Sequence, residues 1–292
     1  MAGWYQLGNN DFIFAYGKTG STFMNGLHNA GKITRPKFNN VNPAETMPGG
    51  ILGELQTLPV RSPKDITISF VVRHPKDRFV SALFMIMNHM FSQVLFKGKF
   101  YSENADAFNK SWTDEDWWAN SISGFLASQG IGNLERKKNY SRMLDRLDKL
   151  DSANGCVGLR GEEFDLFKFI FLDPDHEYHL GNYLHNILKY KDYPVNIVEL
   201  DSLDYFLNSR AIDATGIFKY TRAESPDIEK DQKEINKQRY SAFKSGFNKN
   251  EHYALVYDYL ISDIHVYNNL INFGYDNIQK VYIDNKEMIC PT

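Results

Sequence analysis

The apolar residues of this chain fall into runs of two kinds. Asp11 to Ala15 and Ile66 to Val72 are short, rich in β-branched and aromatic residues, and have the length of buried strands. Each gives way to apolar residues at helical spacing. Phe23, Met24 and Leu27 recur after Gly20, and a second helix is predicted from Pro75 to about Phe91, with the proline in the first turn where its missing N–H costs nothing. Between these units, Asn39 to Pro63 is rich in Asn, Pro and Gly, which predicts irregular loop around a short element at Gly53 to Leu58. A loop of this length within a domain usually carries function.

The rest of the pattern is mainly helical. Thr113 is a cap candidate for a helix over Asp114 to Ala127, and Glu135 to Leu150 places Tyr140, Met143, Leu144 and Leu147 on one stripe. A strand is predicted over Val195 to Leu200, running into a cap and an apolar helix face at Asp201 to Leu207. Cys156 to Arg160 followed by Gly161-Glu162-Glu163-Phe164 has the same form, so which of the two enters a central sheet stays open. Tyr253, Val256, Tyr257, Leu260, Ile264, Tyr267 and Leu270 line an amphipathic helix over Asn250 to Phe273, ended by Gly274. This alternation predicts an α/β class. With no repeat, low-complexity tract or clear linker, one domain over 1–292 is expected.

Two of the turns carry chemistry. The first strand enters Tyr16-Gly17-Lys18-Thr19-Gly20-Ser21-Thr22, a loop with two glycines, a lysine and three Ser or Thr residues that opens a helix. Such a unit aims backbone N–H groups and the helix dipole at an anion, and the glycines let the main chain approach closely. The second strand ends in Arg73-His74-Pro75-Lys76-Asp77-Arg78-Phe79-Val80-Ser81, so a cation follows the apolar run directly. Arg78 and Ser81 share a helix face, and Arg73, Arg78 and Ser81 can converge on one phosphate monoester.

A nucleotide kinase would use similar architecture, and the departures from it are informative. The Walker pattern needs a glycine where this chain has Phe12, and the aspartate that would hold magnesium at a neighbouring strand end is replaced by Arg73. No metal clamp is legible.

On these residues the chain resembles the sulfotransferases that use 3′-phosphoadenosine 5′-phosphosulfate (PAPS). Lys18 to Thr22 is similar to their 5′-phosphosulfate loop, and Arg73, Pro75, Arg78 and Ser81 match every position of an Arg-x-Pro-x-x-Arg-x-x-Ser motif for the 3′-phosphate. The resemblance implies a three-layer α/β/α fold with a mostly parallel central sheet, like that of P-loop NTPases. It implies that Gly17, Lys18, Thr19, Gly20, Ser21 and Thr22 cradle the 5′ end of the donor, that Arg73, Arg78 and Ser81 hold its 3′-phosphate, and that Arg222 closes over the nucleotide from a late basic loop. For the catalytic base it points to the segment between the two motifs. There Gly50-Ile51-Leu52-Gly53-Glu54-Leu55 is similar to a Gly-His segment of uronosyl O-sulfotransferases, with Glu54 in place of the histidine; Glu45 and His89 are the other candidates. The implied acceptor is a hydroxyl or amine of a carbohydrate or small metabolite, and no metal cofactor is expected. The competing readings are a P-loop-type nucleotide kinase and a non-catalytic nucleotide-binding module.

Composition narrows the partners. A formal net charge of −3 argues against nucleic acid as the main ligand. Two cysteines, Cys156 and Cys290, make neither a disulfide scaffold nor a cysteine zinc site, which fits a reducing compartment. The start Met1-Ala2-Gly3-Trp4-Tyr5-Gln6 lacks the basic and apolar regions of a secretory signal, and no apolar stretch reaches membrane-spanning length, so a soluble cytoplasmic protein of bacterial or viral origin is expected. The aromatic content of 14% is high; Trp112, Trp117 and Trp118 are read as helix core rather than as a sugar-stacking platform.

Overall fold

The computed structural model describes residues 3–15, 19–38, 51–96, 113–128, 187–215 and 230–284. The predicted helix over Glu135 to Leu150 and the strand-like Cys156 to Arg160 lie outside them, as do Gly17, Lys18, Glu45, Trp112 and Arg222. The chain divides into two compact units, one of Met1–Arg78, Glu177–Ser225 and Ser262–Thr292, the other of Phe79–His176 and Pro226–Ile261.

The first unit holds a mixed sheet of four strands in the order β1 (Gly3–Gly8), β2 (Asp11–Ala15), β3 (Thr67–Val72) and β4 (Val195–Glu199). The strands from β2 to β4 are parallel, while β1 runs antiparallel to β2. The class is α/β, as the alternation of strands and helices predicts. β1 is an addition to that prediction: Asn9 and Asn10 turn the chain straight from one strand into the next, a job suited to asparagine.

Successive residues of a strand point to opposite faces, and here both faces are apolar. Trp4, Phe12, Phe14, Ile68, Phe70 and Val72 share one core with Ile51, Leu55, Tyr190, Val266 and Leu270. Tyr5, Ile13, Ala15, Val71 and Val198 share another with Phe23, Met24 and Leu27 of α1 (Ser21–Asn29) and Leu203 and Leu207 of a short α5 (Leu203–Asn208). Helices therefore cover both sides of the sheet. Ser69, a polar residue fully buried in β3, is met by its register partner on β4, where the Asn196 amide donates to its hydroxyl at 3.4 Å.

A polar knot fixes α1 to β1. The Arg35 guanidinium donates to the Trp4 carbonyl at 2.9 Å, to the Tyr5 hydroxyl at 3.1 Å and to Asn25 Oδ1 at 2.7 Å, and the Tyr5 hydroxyl itself donates to Asn25 Oδ1 at 2.8 Å. Burial pushes the Tyr5 phenol up to about 12, with Arg35 pulling the other way. Because the folded value lies above the unfolded one, the corresponding stability is fully present below pH ~10 and lost as pH rises towards ~12, an amount of about 3 kcal/mol. The stability difference between the wild type and Tyr5→Phe should shrink by roughly that much over this interval in urea titrations. Parallel curves for the two proteins would exclude the effect.

The second unit is built on the pairing of α4 (Glu115–Ser128) with α6 (Lys230–Lys249). Trp118 is fully buried and meets the Phe243 ring edge-on at 5.0 Å, while Phe84 contacts Trp118, Tyr240 and Phe243. Trp118 is thus a core residue, as predicted. The cap of α4 is Asp114 rather than Thr113: its Oδ1 accepts the Asp116 and Trp117 amides at 2.8 and 3.3 Å. The last helical run, α7 (His252–Asp284), is interrupted at Gly274, whose φ of 71° leaves the helical region where the sequence predicts the stop. Among the described residues no helix is long and apolar enough to cross a membrane.

Candidate functional site

Parallel strands put all their carboxyl ends on one edge of a sheet, and ligands of α/β proteins gather at that edge. Register makes the alignment close here: Ala15 pairs with Val71, Val71 with Val198, and Val72 with Glu199. The three segments that leave this edge are the glycine loop into α1, the Arg73 turn into α3 (Pro75–Phe96), and the Leu200–Ser202 turn into α5. Two of them are the motifs singled out by the sequence.

In the first, Thr19 and Ser21 are buried and Thr22 is exposed. Gly20 occupies the N-cap position of α1 in the left-handed region, φ 94°, and a Cβ there would lie 2.8 Å from Leu200 Cδ1. The positive φ is what favours glycine, since the leucine methyl is the end of a flexible side chain and can move aside. Gly20 also supplies no capping side chain, and the first turn of α1 contains no acidic residue, so the positive end of the helix dipole is left unneutralised from within.

In the second, Arg73 is half-buried at the strand end and Arg78 is only 4% exposed in the first turn of α3. The Arg78 amide makes the first helical hydrogen bond, to the His74 carbonyl at 3.0 Å. Ser81, the third member of the motif, is half-buried further along α3 and belongs to the second unit. Glu54 sits on a short helix, α2 (Leu52–Gln56), between the buried Ile51 and Leu55, and is itself only 6% exposed. His89 lies on α3, its side chain outside the described part.

Three residues at this edge escaped the sequence reading as site residues. His74 caps α3: its Nδ1 accepts the Lys76 amide at 3.3 Å, which places the proton of the neutral ring on Nε2. Its ring meets that of Tyr267 edge-on at 5.2 Å. Tyr267, on α7, donates its hydroxyl to Glu199 Oε1 at the end of β4. Burial first, and then the hydrogen bond to the Glu199 carboxylate with the further negative charge of Asp201 and Asp77, raise the Tyr267 phenol well above its usual value and keep it a donor. The only signal in the sequence is that Glu199 lies next to the last residue of a predicted strand, Val195 to Leu200.

The edge is therefore cationic along the β3 turn and anionic along the β4 turn, where Glu199, Asp201 and Asp204 follow one another. Among the described residues no group of three or more His, Cys, Asp or Glu is placed to hold a metal ion. Compared with protein-family models, curated proteins and solved structures, the chain matches none.

Proposed function

We propose that this protein is a sulfotransferase that moves the sulfuryl group of PAPS to a hydroxyl or amine of a carbohydrate or small-metabolite acceptor. The observation that carries the reading is the register that brings the Gly20 helix start and the Arg73–Arg78 turn to one sheet edge on adjacent parallel strands. A donor with phosphates at both its 5′ and 3′ ends needs two anion cradles side by side. A nucleoside triphosphate does not.

On this reading Lys18, the Gly17, Thr19, Gly20 and Thr22 backbone and the Ser21 hydroxyl hold the 5′-phosphosulfate, while Arg73, Arg78 and Ser81 hold the 3′-phosphate, with Arg222 covering the nucleotide. The transfer is roughly in line. The bond between sulfur and the bridging oxygen breaks, a bond from the acceptor oxygen or nitrogen to sulfur forms, and the acceptor proton passes to a base, for which Glu54 is our choice. The leaving group is adenosine 3′,5′-bisphosphate. Its growing negative charge is what Lys18 and the helix start stabilise, and positioning supplies much of the remaining rate.

Adenosine 3′,5′-bisphosphate should raise the melting temperature without magnesium, because a ligand bound only by the folded state stabilises it. Arg73→Ala should weaken that ligand by about 1.5–3 kcal/mol, the scale of a charged hydrogen bond, and adenosine 5′-monophosphate much less. If ADP with magnesium stabilises the protein as well or better, the kinase reading replaces ours.

A further inference from the structure

We propose that Tyr267 and Glu199 are positioning residues for the anion cradle at the start of α3, and that they act through the imidazole of His74. The inference rests on the reading of Arg73 and Arg78 as phosphate ligands. It starts from a closed circuit of contacts. Val72 pairs with Glu199 in the sheet; Glu199 accepts the Tyr267 hydroxyl; the Tyr267 ring walls the His74 ring; and His74 returns to Val72 through Arg73 alone.

Arg73 is the residue through which the circuit closes along the chain. The backbone torsions between Val72 and His74 determine where its guanidinium is presented, and closing the circuit fixes them. Arg78 is coupled to the same point, since its amide bonds the His74 carbonyl and the His74 ring caps the helix through the Lys76 amide. A histidine cap is a rotor with one suitable acceptor, Nδ1. Held edge-on by Tyr267, it keeps that nitrogen on the Lys76 amide. A guanidinium fork binds phosphate through paired, direction-sensitive hydrogen bonds, and small misplacements of such groups are costly.

The variants follow from the atoms. Tyr267→Phe keeps the ring and deletes the donor; Glu199→Gln keeps an acceptor oxygen and serves as the conservative rescue; His74→Asn keeps a capping acceptor without the ring contact. For the full chain, the affinities of adenosine 3′,5′-bisphosphate and adenosine 5′-monophosphate would be measured by calorimetry. Hydrogen exchange of the Lys76 amide and the nitrogen shifts of the His74 ring would be followed by NMR.

Tyr267→Phe is expected to weaken the bisphosphate roughly fivefold to tenfold, on the scale of one lost hydrogen bond. The monophosphate should change less than about twofold on the same scale, the Lys76 amide should exchange faster, and Glu199→Gln should stay near wild type. Equal losses for both nucleotides, or unchanged Lys76 exchange and bisphosphate affinity, overturn the proposal. A wild-type protein that binds neither nucleotide overturns the phosphate reading instead. The Lys76 exchange of Tyr267→Phe then still decides the circuit, faster exchange upholding it and unchanged exchange removing it.

Discussion

Gly246→Ala is expected to destabilise the α4–α6 pairing by about 3 kcal/mol, as overpacking against rigid atoms does. A Cβ at that position would lie 2.6 Å from the Glu115 carbonyl oxygen, 2.8 Å from the Ala119 nitrogen and 2.9 Å from Trp118 Cβ. Two of these atoms are backbone and the third is the root of a buried indole, so no side-chain rotation makes room. The helices must separate, which loosens Trp118 from Phe243 and strains the Lys249 ion pairs with Glu115 and Asp116, now 2.9 and 2.6 Å long. Helix propensity alone predicts the opposite sign, a gain of about 1 kcal/mol for alanine over glycine. The sign of the change in a denaturant titration therefore decides the matter, and a more stable Gly246→Ala would mean that the helices do not approach this closely.

Glu54→Gln should lower turnover on a confirmed acceptor by about 10²–10⁴, the range for loss of a general base, with bisphosphate affinity nearly unchanged. Its burial sharpens the test. A carboxyl that is 6% exposed on a five-residue helix serves either the chemistry or the packing, and the two roles separate in the data. A base that is lost leaves the melting temperature in place. A structural carboxylate that is lost lowers it, since a buried partner is left unsatisfied at a cost of about 1–3 kcal/mol. Full activity in Glu54→Gln together with inactive Glu45→Gln or His89→Asn would move the base to another position and leave the sulfotransferase reading intact.

What the sequence revealed and what it hid follow from how local each signal is. β2 and β3 were legible because Asp11–Ala15 and Thr67–Val72 are buried on both faces and so read as continuous apolar runs. β1 was missed because Gln6 interrupts its apolar residues and a glycine stands at each end, so Gly3–Gly8 shows neither a continuous apolar run nor an alternation. The cap of α4 slipped by one residue because Thr113 and Asp114 are both good caps and the choice depends on which oxygen reaches the Asp116 amide. The stop at Gly274 was plain, since glycine ends a stripe there. His74 was invisible as a cap because caps are sought among Ser, Thr, Asp and Asn, and its partner Tyr267 looked like any core aromatic of its helix. The bond from Tyr267 to Glu199 links residues 68 apart, a distance no local pattern spans.

The parallel pairing of β3 with β4 has a kinetic consequence. Ile68 bonds alongside Val195, so the intervening chain, including Phe79–His176 of the second unit, must be looped out before the two strands meet. β1 and β2 need only close a tight turn. Contacts so distant in sequence are entropically late, because the cost of closing a loop is incurred before the contact rewards it. A refolding chain can therefore assemble its hairpin and local helices while the β4 end, and with it Glu199, is still absent from the sheet. The edge that carries both arginines is completed only when the most remote strand arrives, so on the proposed function the recovery of bisphosphate binding is expected to trail the recovery of secondary structure.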